Sequence, residues 1–280
     1  MKKGKFKIIL YLSLFIIILS NLIGATLKPN FFFKDNTMIV LDSDSTKPLP
    51  DRYRDIPTLN ISGSAQFTPS QVEPLKKAIN KPSICIVDLR QESHGSINDY
   101  AISFFDPYKL LNNGFTTLET IEKENEELDR IKLGSNVNIF HRTGRLFKAV
   151  DVTSVSNEES IVVKCDIQYK RFAVKDNGIP TPTIVDEFVD FIKNKPEDLH
   201  LHFHCDAGEG RTTSFMAMYQ IMVNPNNLSL DQILTYQYNV GGIILTNDKY
   251  RAEFLNEFYN YVNQNKDTNY ETSYSEWVKQ

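Results

Sequence analysis

The sequence is poor in cysteine and lacks an excess of positive charge. Its 280 residues include 3 cysteines, Cys85, Cys165 and Cys205, too few for a disulfide framework. The formal net charge is −4. This charge argues against a nucleic-acid partner, because proteins that bind nucleic acids carry a basic surface. A polyanionic substrate would therefore have to meet a local cluster of basic residues against the overall field.

A hydrophobic run long enough for targeting occurs at the N-terminus, from Ile8 to Leu19. Lysines precede it at positions 2, 3, 5 and 7, and small residues follow at Gly24-Ala25. This order predicts a bacterial secretory signal at residues 1–26 and a secreted, cell-surface or periplasmic product without stable membrane contact. An uncleaved anchor is the alternative, but Ile8 to Ala25 is barely long enough to span a bilayer.

The central feature of the chain is the stretch His202-Phe203-His204-Cys205-Asp206-Ala207-Gly208-Glu209-Gly210-Arg211-Thr212. An apolar run suited to a buried strand precedes it, and apolar residues at helical spacing follow it from Phe215 to Val223. The turn between them carries two glycines and points its amides at one spot. Because a helix N-terminus offers unpaired N–H groups and partial positive charge, the turn predicts a phosphate cradle.

Two side chains make the cradle reactive. A free cysteine has a pKa of about 8.5, and a helix N-terminus beside an arginine shifts such a thiol toward the nucleophilic thiolate. Cys205 is thus the predicted nucleophile, and Arg211 is placed to grip phosphate oxygens with its planar fork. Thr212 can donate a hydrogen bond to the sulfur. A buried structural cysteine is the alternative. A zinc site of His202, His204 and Cys205 is disfavoured, because neighbouring strand positions face opposite sides.

The loop resembles the signature of cysteine-dependent phosphatases. Further segments are similar to the bacterial protein-tyrosine-phosphatase-like phytases: Val87 to Gly95, Leu201 to Cys205, Gly241-Gly242 and Tyr270 to Lys279. The resemblance runs from about Arg52 to the C-terminus. It implies an inositol polyphosphatase with a tyrosine-phosphatase-like α/β fold, in which a mixed sheet is flanked by helices and a small antiparallel β insert forms a partial barrel.

Asp176 is the predicted general acid. It lies in a loop before Pro180-Thr181-Pro182, and a phosphatase must protonate an alkoxide that leaves poorly as an anion. The alternative is a turn-forming aspartate before Asn177-Gly178. The family usually carries histidine and tryptophan where this chain has Asn177 and Ile179, a departure that bears on substrate preference.

Substrate contacts are predicted in the loop and at its rim. The loop residues are Asp206, Ala207, Gly208, Glu209 and Gly210, of which the two acids must point away from a polyanion. At the rim, the resemblance implies Arg54 in preference to Arg52, together with basic and aromatic residues near position 250. The rim candidates are Arg54, Lys249, Tyr250, Arg251 and His94. For His94 and its neighbours Arg90 and Glu92, a purely structural role is the alternative.

Periodicity and capping residues predict the remaining elements. A helix should begin after Thr68 and end near Asn80, and a buried strand should follow at Ile84 to Val87. Short alternating segments at Val137 to Phe140, Leu146 to Val152 and Ile161 to Tyr169 predict an antiparallel insert at about residues 112–170. The charged run Glu119 to Arg130 predicts a solvated helix. His141, Arg142 and Arg145 are expected to be exposed turn residues.

Together these features predict a signal peptide at 1–26 and a phosphatase-like domain at 27–280. The expected activity is hydrolysis of inositol hexakisphosphate and lower inositol phosphates through a phosphocysteine, with no cofactor and no metal. A protein tyrosine or dual-specificity phosphatase is the alternative with the same chemistry. A non-catalytic phosphate-binding module is disfavoured, because it would need neither Cys205 nor Asp176.

Overall fold

The computed structural model describes residues 37–106 and 111–280. The predicted signal peptide, residues 1–26, lies outside the described residues and stays a prediction. Within the described ranges, no helix is both long and apolar enough to span a membrane.

The described residues form two sheets and their covering helices. The strands are β1 (Met38–Ser43), β2 (Arg54–Ile56), β3 (Ile61–Ser64), β4 (Ile84–Arg90), β5 (His94–Ile97), β6 (Tyr100–Phe105), β7 (Asn136–Phe140), β8 (Leu146–Asp151), β9 (Val155–Ser156), β10 (Gln168–Val174) and β11 (His200–His204). The α-helices are α1 (Val72–Ile79), α2 (Thr117–Asp129), α3 (Glu158–Val163), α4 (Pro182–Asn194), α5 (Gly210–Val223), α6 (Leu230–Asn239), α7 (Lys249–Asn265) and α8 (Tyr274–Trp277).

The main sheet has the strand order β10-β4-β11-β3-β2. Its strands run parallel except for the antiparallel β2–β3 pair, so the sheet is mixed, as predicted. All residues of β4 and β11 are buried, which agrees with the continuous apolar run at Ile84 to Val87. The carboxyl ends of β4, β10 and β11 therefore meet at one edge of the sheet, where α/β proteins place ligands.

The hydrophobic core between this sheet and its helices is aromatic. Phe172 of β10 and Phe203 of β11 contact Phe188 of α4. The rings of Phe188 and Phe215, on α5, pack edge-on with 5.0 Å between their centroids. Trp277 packs against the same core beside Tyr274. This packing fixes α5, and with it the loop that precedes the helix.

The second sheet has the order β8-β7-β1-β6-β5-β9 and is open rather than a closed barrel. Its pairs are antiparallel apart from β1–β7. The hairpin of β7 and β8 was predicted, but β1, β5 and β6 come from outside residues 112–170. The predicted strand from Ile161 to Tyr169 was wrong: Ile161 lies in α3, and the chain then enters β10 of the main sheet.

Local capping signals were reliable. Thr68 and Gln71 form the expected capping box at a 3₁₀ turn that leads into α1, and Ser229 and Gln232 form another at α6. Asn80 ends α1 in the left-handed conformation, with φ of 51°. Such signals act within one turn of chain, so distant packing does not alter them.

The charged run does form a helix, α2, but the prediction that it is solvated was only partly right. Glu124 is 3% exposed and Glu127 is 5% exposed. Glu124 accepts a hydrogen bond from Arg171 at 2.8 Å, so the helix buries a carboxylate against a cation. A charge pattern cannot reveal such a partner, because Arg171 lies on β10.

Candidate active site

The loop between β11 and α5 curls tightly around a pocket. Gly208 has φ of +69°, and a Cβ there would lie 2.4 Å from the amide nitrogen of Ala65. The amide of Gln66 donates to the carbonyl of Asp206 at 2.9 Å, which ties the loop to the end of β3. The sequence folds this way because glycine tolerates both the left-handed backbone and the close approach.

Cys205 lies at the bottom of this pocket and is 3% exposed. Thr212 donates its hydroxyl to the Cys205 sulfur at 3.1 Å, as the spacing predicted. The pocket holds about 110 Å³, and it is lined by Asp176, Asn177, Cys205, Ala207, Glu209, Gly210, Arg211, Ile243 and Arg251. The thiol, the loop and the arginine are thus gathered around a space of phosphate size.

Arg211 is held by a carboxylate that the sequence did not single out as a partner. Its Nη1 lies 2.7 Å from Glu92 Oε2 and its Nη2 lies 2.8 Å from Glu92 Oε1, a bidentate pair. Burial alone would raise the pKa of Glu92, but Arg211 and Arg90 outweigh it and keep that pKa well below its usual range. Glu92 therefore stays ionised and fixes the plane of the guanidinium.

Asp176 reaches the pocket from the loop between β10 and α4. Its Oδ1 lies 3.2 Å from Arg211 Nη2, and its side chain is 25% exposed. The turn closes through the amide of Gly178, which donates to the carbonyl of Lys175 at 2.9 Å, while Asn177 adopts φ of 59°. The Asp176 carboxyl group thus lines the same pocket as Cys205.

Comparison with known proteins agrees with this arrangement. A family model described as PTP-like phytase, with inositol hexakisphosphate in its description, matches residues 87–223. The matched region contains Asp176, Cys205 and Arg211 and is similar to the protein-tyrosine-phosphatase-like phytases. A tandemly repeated PTP-like phytase from Mitsuokella multacida matches with a TM-score of 0.80 and 30% identity, covering 89% of this chain and 50% of that chain.

Two further relatives define the extent of the similarity. A PTP-like phytase from Bdellovibrio bacteriovorus matches with a TM-score of 0.75 and 29% identity over 90% of this chain and 100% of that one. The effector protein hopD2 of Pseudomonas syringae pv. tomato is 26% identical over 259 residues, covering 85% of this chain and 54% of the effector. The chain spans about half the length of hopD2 and of the Mitsuokella enzyme.

Arg54 is buried beside the loop and is not exposed at the rim, and its predicted contact with substrate stays a prediction. It is 5% exposed. Its Nη1 donates to the carbonyl of Gly208 at 3.0 Å, and its Nη2 donates to the hydroxyl of Thr213 at 3.2 Å. Arg54 therefore braces the loop from behind.

Arg52 faces the rim instead. Its Nη2 lies 2.5 Å from Glu209 Oε1, and its side chain is 44% exposed. A second, open groove of about 500 Å³ is lined by Arg52, Tyr238, Gly242, Ile243, Ile244, Asn247, Asp248 and Arg251. Ile243 and Arg251 line both spaces, so the groove adjoins the pocket of Cys205.

The three predicted rim residues at the start of α7 differ in position. Arg251 is 6% exposed and borders both spaces. Tyr250 is 75% exposed, and the Lys249 side chain is 81% exposed beside Glu253. Neither Tyr250 nor Lys249 lines the pocket or the groove, because successive residues on a helix point in different directions.

His94 is wholly buried, and the predicted contact with substrate is not supported by its position. Its Nδ1 lies 3.1 Å from Glu124 Oε2, and its Nε2 lies 3.5 Å from Asp88 Oδ2. Burial and Arg90 lower its pKa, but Glu124 and Asp88 prevail and raise it to about 10. A protonated His94 thus joins the interior ion network beneath the sheet edge.

Asp88, His94 and Glu158 offer ligand atoms within 4.8 Å of one another. However, Arg171 Nε lies 3.1 Å from Asp88 Oδ2, and His204 Nε2 lies 2.7 Å from Glu158 Oε1. A cation already adjoins Asp88, and an imidazole adjoins Glu158, so the cluster is better described as an ion network than as a metal site. His202 is similarly engaged, because its ring nitrogens lie 2.8 Å from Ser62 Oγ and 3.0 Å from Ser64 Oγ.

Each of the two acids of the loop forms an ion pair with an arginine. Asp206 Oδ2 lies 2.7 Å from Arg142 Nη2, and Glu209 pairs with Arg52. Sequence reasoning missed the roles of Glu92, Arg142 and Arg52. For Glu92 a signal existed, since it follows β4 at the ligand-binding edge; for Arg142 the sequence held none.

Proposed function

We propose that the protein is a cysteine-dependent phosphatase that hydrolyses inositol hexakisphosphate and lower inositol phosphates through a phosphocysteine intermediate. The supporting observation is the convergence of Cys205, Arg211 and Asp176 on one pocket of phosphate size. Similarity to the protein-tyrosine-phosphatase-like phytases supports the same reaction class. The role of each side chain follows from its position in the pocket.

The chemistry follows from the side chains at the pocket. The Cys205 sulfur attacks phosphorus in line and displaces the alkoxide, which takes a proton from Asp176. Water then attacks the phosphocysteine, gives its proton to Asp176 and releases inorganic phosphate and the thiolate. Arg211 and the loop amides hold the phosphoryl oxygens in both steps. Thr212 stabilises the thiolate as attacker and as leaving group.

The groove beside the pocket favours a substrate with several phosphates. Arg52 and Arg251 lie along it, so neighbouring phosphates of one molecule can meet cations while the first occupies the loop. A related structure from Mitsuokella multacida contains myo-inositol-(1,3,4,5)-tetrakisphosphate. By contrast, a phosphotyrosine substrate has one phosphate and gains nothing from these arginines.

The test compares three substrates: inositol hexakisphosphate, p-nitrophenyl phosphate and a phosphotyrosine peptide. We expect Arg52→Ala and Arg251→Gln to lower kcat/KM on inositol hexakisphosphate by about tenfold or more, since losing a charge-assisted contact costs about 1.5–3 kcal/mol. Activity on p-nitrophenyl phosphate should change much less. Lys249→Ala is the matched control and should leave both activities intact.

Arg54→Ala should behave differently and lower both activities, because Arg54 braces the loop itself. Cys205→Ser should abolish turnover and shows whether a contaminating phosphatase is present. Equal losses in Arg52→Ala on both small and polyphosphorylated substrates would refute the polyphosphate groove. A preference for the phosphotyrosine peptide would establish the alternative function.

Export is a separate part of the proposal and depends on the N-terminal sequence alone. The basic residues, apolar run and small residues within positions 1–26 support a cleaved secretory signal. Mass spectrometry of the mature protein from its native host should show a chain that begins near residue 27. A full-length chain in the membrane fraction would instead support the uncleaved anchor.

A further inference from the structure

Arg142 lies in the turn between β7 and β8, on the second sheet rather than in the phosphate loop. One of its nitrogens, Nη2, lies 2.7 Å from Asp206 Oδ2 and 2.9 Å from Asp42 Oδ1. The Arg142 side chain is 36% exposed, whereas Asp206 is 16% and Asp42 0% exposed. A cation at the surface therefore bridges two shielded carboxylates, one of them next to the nucleophile.

The two carboxylates depend on nearby cations. Burial, then Asp42 and Glu92, raise the pKa of Asp206 to about 6, although Arg90 and Arg142 act in the opposite direction. Without Arg142, the like charges of Asp42 and Asp206 would face each other with Arg90 as the remaining cation that lowers both pKa values. They would then separate or share a proton, and either response moves a residue of the phosphate loop.

The contacts of Arg142 continue to Arg211. Asp42 Oδ2 lies 3.0 Å from Arg90 Nη1, and Arg90 Nε lies 2.9 Å from Glu92 Oε1. Glu92 in turn makes the bidentate pair with Arg211. Arg142 thus reaches the phosphate site by two routes, directly through Asp206 and indirectly through the chain Asp42, Arg90, Glu92 and Arg211.

We infer that Arg142 is a positioning residue: by bridging Asp206 and Asp42 it holds the phosphate loop and Arg211 in register and keeps the Asp206 carboxylate out of the phosphate pocket. The activity readout of this inference rests on the proposed phosphatase function. The affinity for inorganic phosphate, however, tests the same geometry and does not depend on turnover. The second sheet is then part of the active site, although none of its described residues lines the pocket of Cys205.

The test uses the full chain with Arg142→Gln and Arg142→Lys. Both contacts of Arg142 involve a single nitrogen, so the ammonium of lysine can keep them, whereas the neutral amide of glutamine cannot. Arg145→Gln is the matched control, because Arg145 is an exposed arginine of the same turn. Measured quantities are kcat and KM on p-nitrophenyl phosphate, the affinity for inorganic phosphate by calorimetry, and Tm.

Arg142→Gln should lower kcat/KM and phosphate affinity on the order of tenfold, since small displacements at a reacting centre cost up to about a hundredfold. Arg142→Lys should recover most of the loss, and Arg145→Gln should match wild type. In the double variant Arg142→Gln/Asp206→Asn, the losses should not add, because the charge that Arg142 neutralises is gone.

Several results would overturn the inference. Wild-type activity and phosphate affinity in Arg142→Gln would do so, as would equal impairment of the lysine and glutamine variants together with a lower Tm, which indicates a merely structural role. Additive losses in the double variant would also count against it. If the wild-type protein hydrolyses no phosphoester, the proposed function fails, whereas the comparison of phosphate affinities still decides the role of Arg142.

Discussion

Asp176 approaches the pocket from the loop before α4, whereas Cys205 lies at the end of β11, so the proposed general acid and the proposed nucleophile come from different elements. Arg211 contacts Asp176 at 3.2 Å and is itself fixed by Glu92. In the proposed mechanism, nucleophilic attack, proton transfer and charge stabilisation are divided among Cys205, Asp176 and Arg211. Substitution at each position should therefore change a different kinetic quantity.

Asp176→Asn should remove proton donation to the leaving oxygen. General acid catalysis contributes about 10²–10⁴-fold where the leaving group needs a proton. We therefore expect a loss in that range on inositol phosphates, whose alkoxides are poor leaving groups, and a much smaller loss on p-nitrophenyl phosphate. Thr183→Ala, at an exposed position near the start of α4, is the control and should show no dependence on leaving group. Equal losses of Asp176→Asn on both substrates would assign Asp176 to positioning Arg211.

Among the elements, the phosphate loop contains two nearby glycines that exclude a side chain for different reasons. A Cβ on Gly208 would meet backbone atoms of Ala65 and Ser64, and the residue has φ of +69°. A Cβ on Gly210 would meet Arg251 Nη2 at 2.8 Å, the far end of a flexible side chain. The first position is constrained by backbone and the second by a movable group.

Gly208→Ala should thus be far more damaging than Gly210→Ala. The first forces the loop away from β3 and should abolish phosphate binding, while the second shifts Arg251 and should mainly weaken binding of polyphosphorylated substrates. Calorimetric titration with inorganic phosphate distinguishes the two. Unchanged phosphate affinity in Gly208→Ala would mean that the loop opens and closes freely, against the close packing of Gly208 on Ala65.

The interior network on β4, β5 and α2 makes stability depend on pH through His94. Its folded-state pKa of about 10 lies above the ordinary histidine value of 6.5. The stabilisation from this proton is therefore complete below about pH 6.5 and is lost as the pH rises toward about 10. This loss in the free energy of unfolding should amount to a few kcal/mol at most.

Urea unfolding at a series of pH values measures this effect. The free energy of unfolding of the wild-type protein should fall more steeply between pH 6.5 and about 10 than that of His94→Gln. His141→Gln, at a histidine of the β7–β8 turn, should keep the wild-type slope. Identical slopes in wild type and His94→Gln would show that His94 is neutral in the folded protein.

At the scale of the whole molecule, an acidic protein is proposed to bind a polyanion. The net charge is −4, so the long-range field opposes approach, and attraction must come from Arg52, Arg211 and Arg251 at short range. Salt screens interactions between exposed charges beyond about 10 Å at 0.1 M. The direction of the salt effect depends on which is stronger in the groove, the repulsion by the overall negative charge or the attraction by the three arginines.

We expect kcat/KM for inositol hexakisphosphate to fall several-fold as salt rises from about 0.05 M to about 0.5 M, because several phosphates meet cations at once. The value for p-nitrophenyl phosphate should change little. Arg52→Ala should flatten the dependence. A rise with salt in the wild-type protein would indicate that overall repulsion outweighs the groove.

Sequence by itself determined the glycine-containing loop that brings Thr212 to Cys205, together with the helix start after Thr68. These features depend largely on contacts within a few residues: a strand, a glycine-containing turn and a helix N-terminus place Thr212 beside Cys205, and β3 and Arg54 then hold the loop in place. A buried strand was also predictable at β4, where Ile84 to Val87 form a continuous apolar run, whereas β11 alternates Leu201 and Phe203 with three buried histidines.

Only the tertiary structure decided which charged side chains meet. Arg52 lies in a left-handed turn with φ of 55°, whereas Arg54 begins β2 opposite Gly63, so two arginines of similar sequence context point to the rim and to the back of the loop. Glu92 and Arg211, His94 and Glu124, and Arg142 and Asp206 are likewise far apart in sequence. Their contacts follow from strand order and helix packing, and no local pattern encodes either.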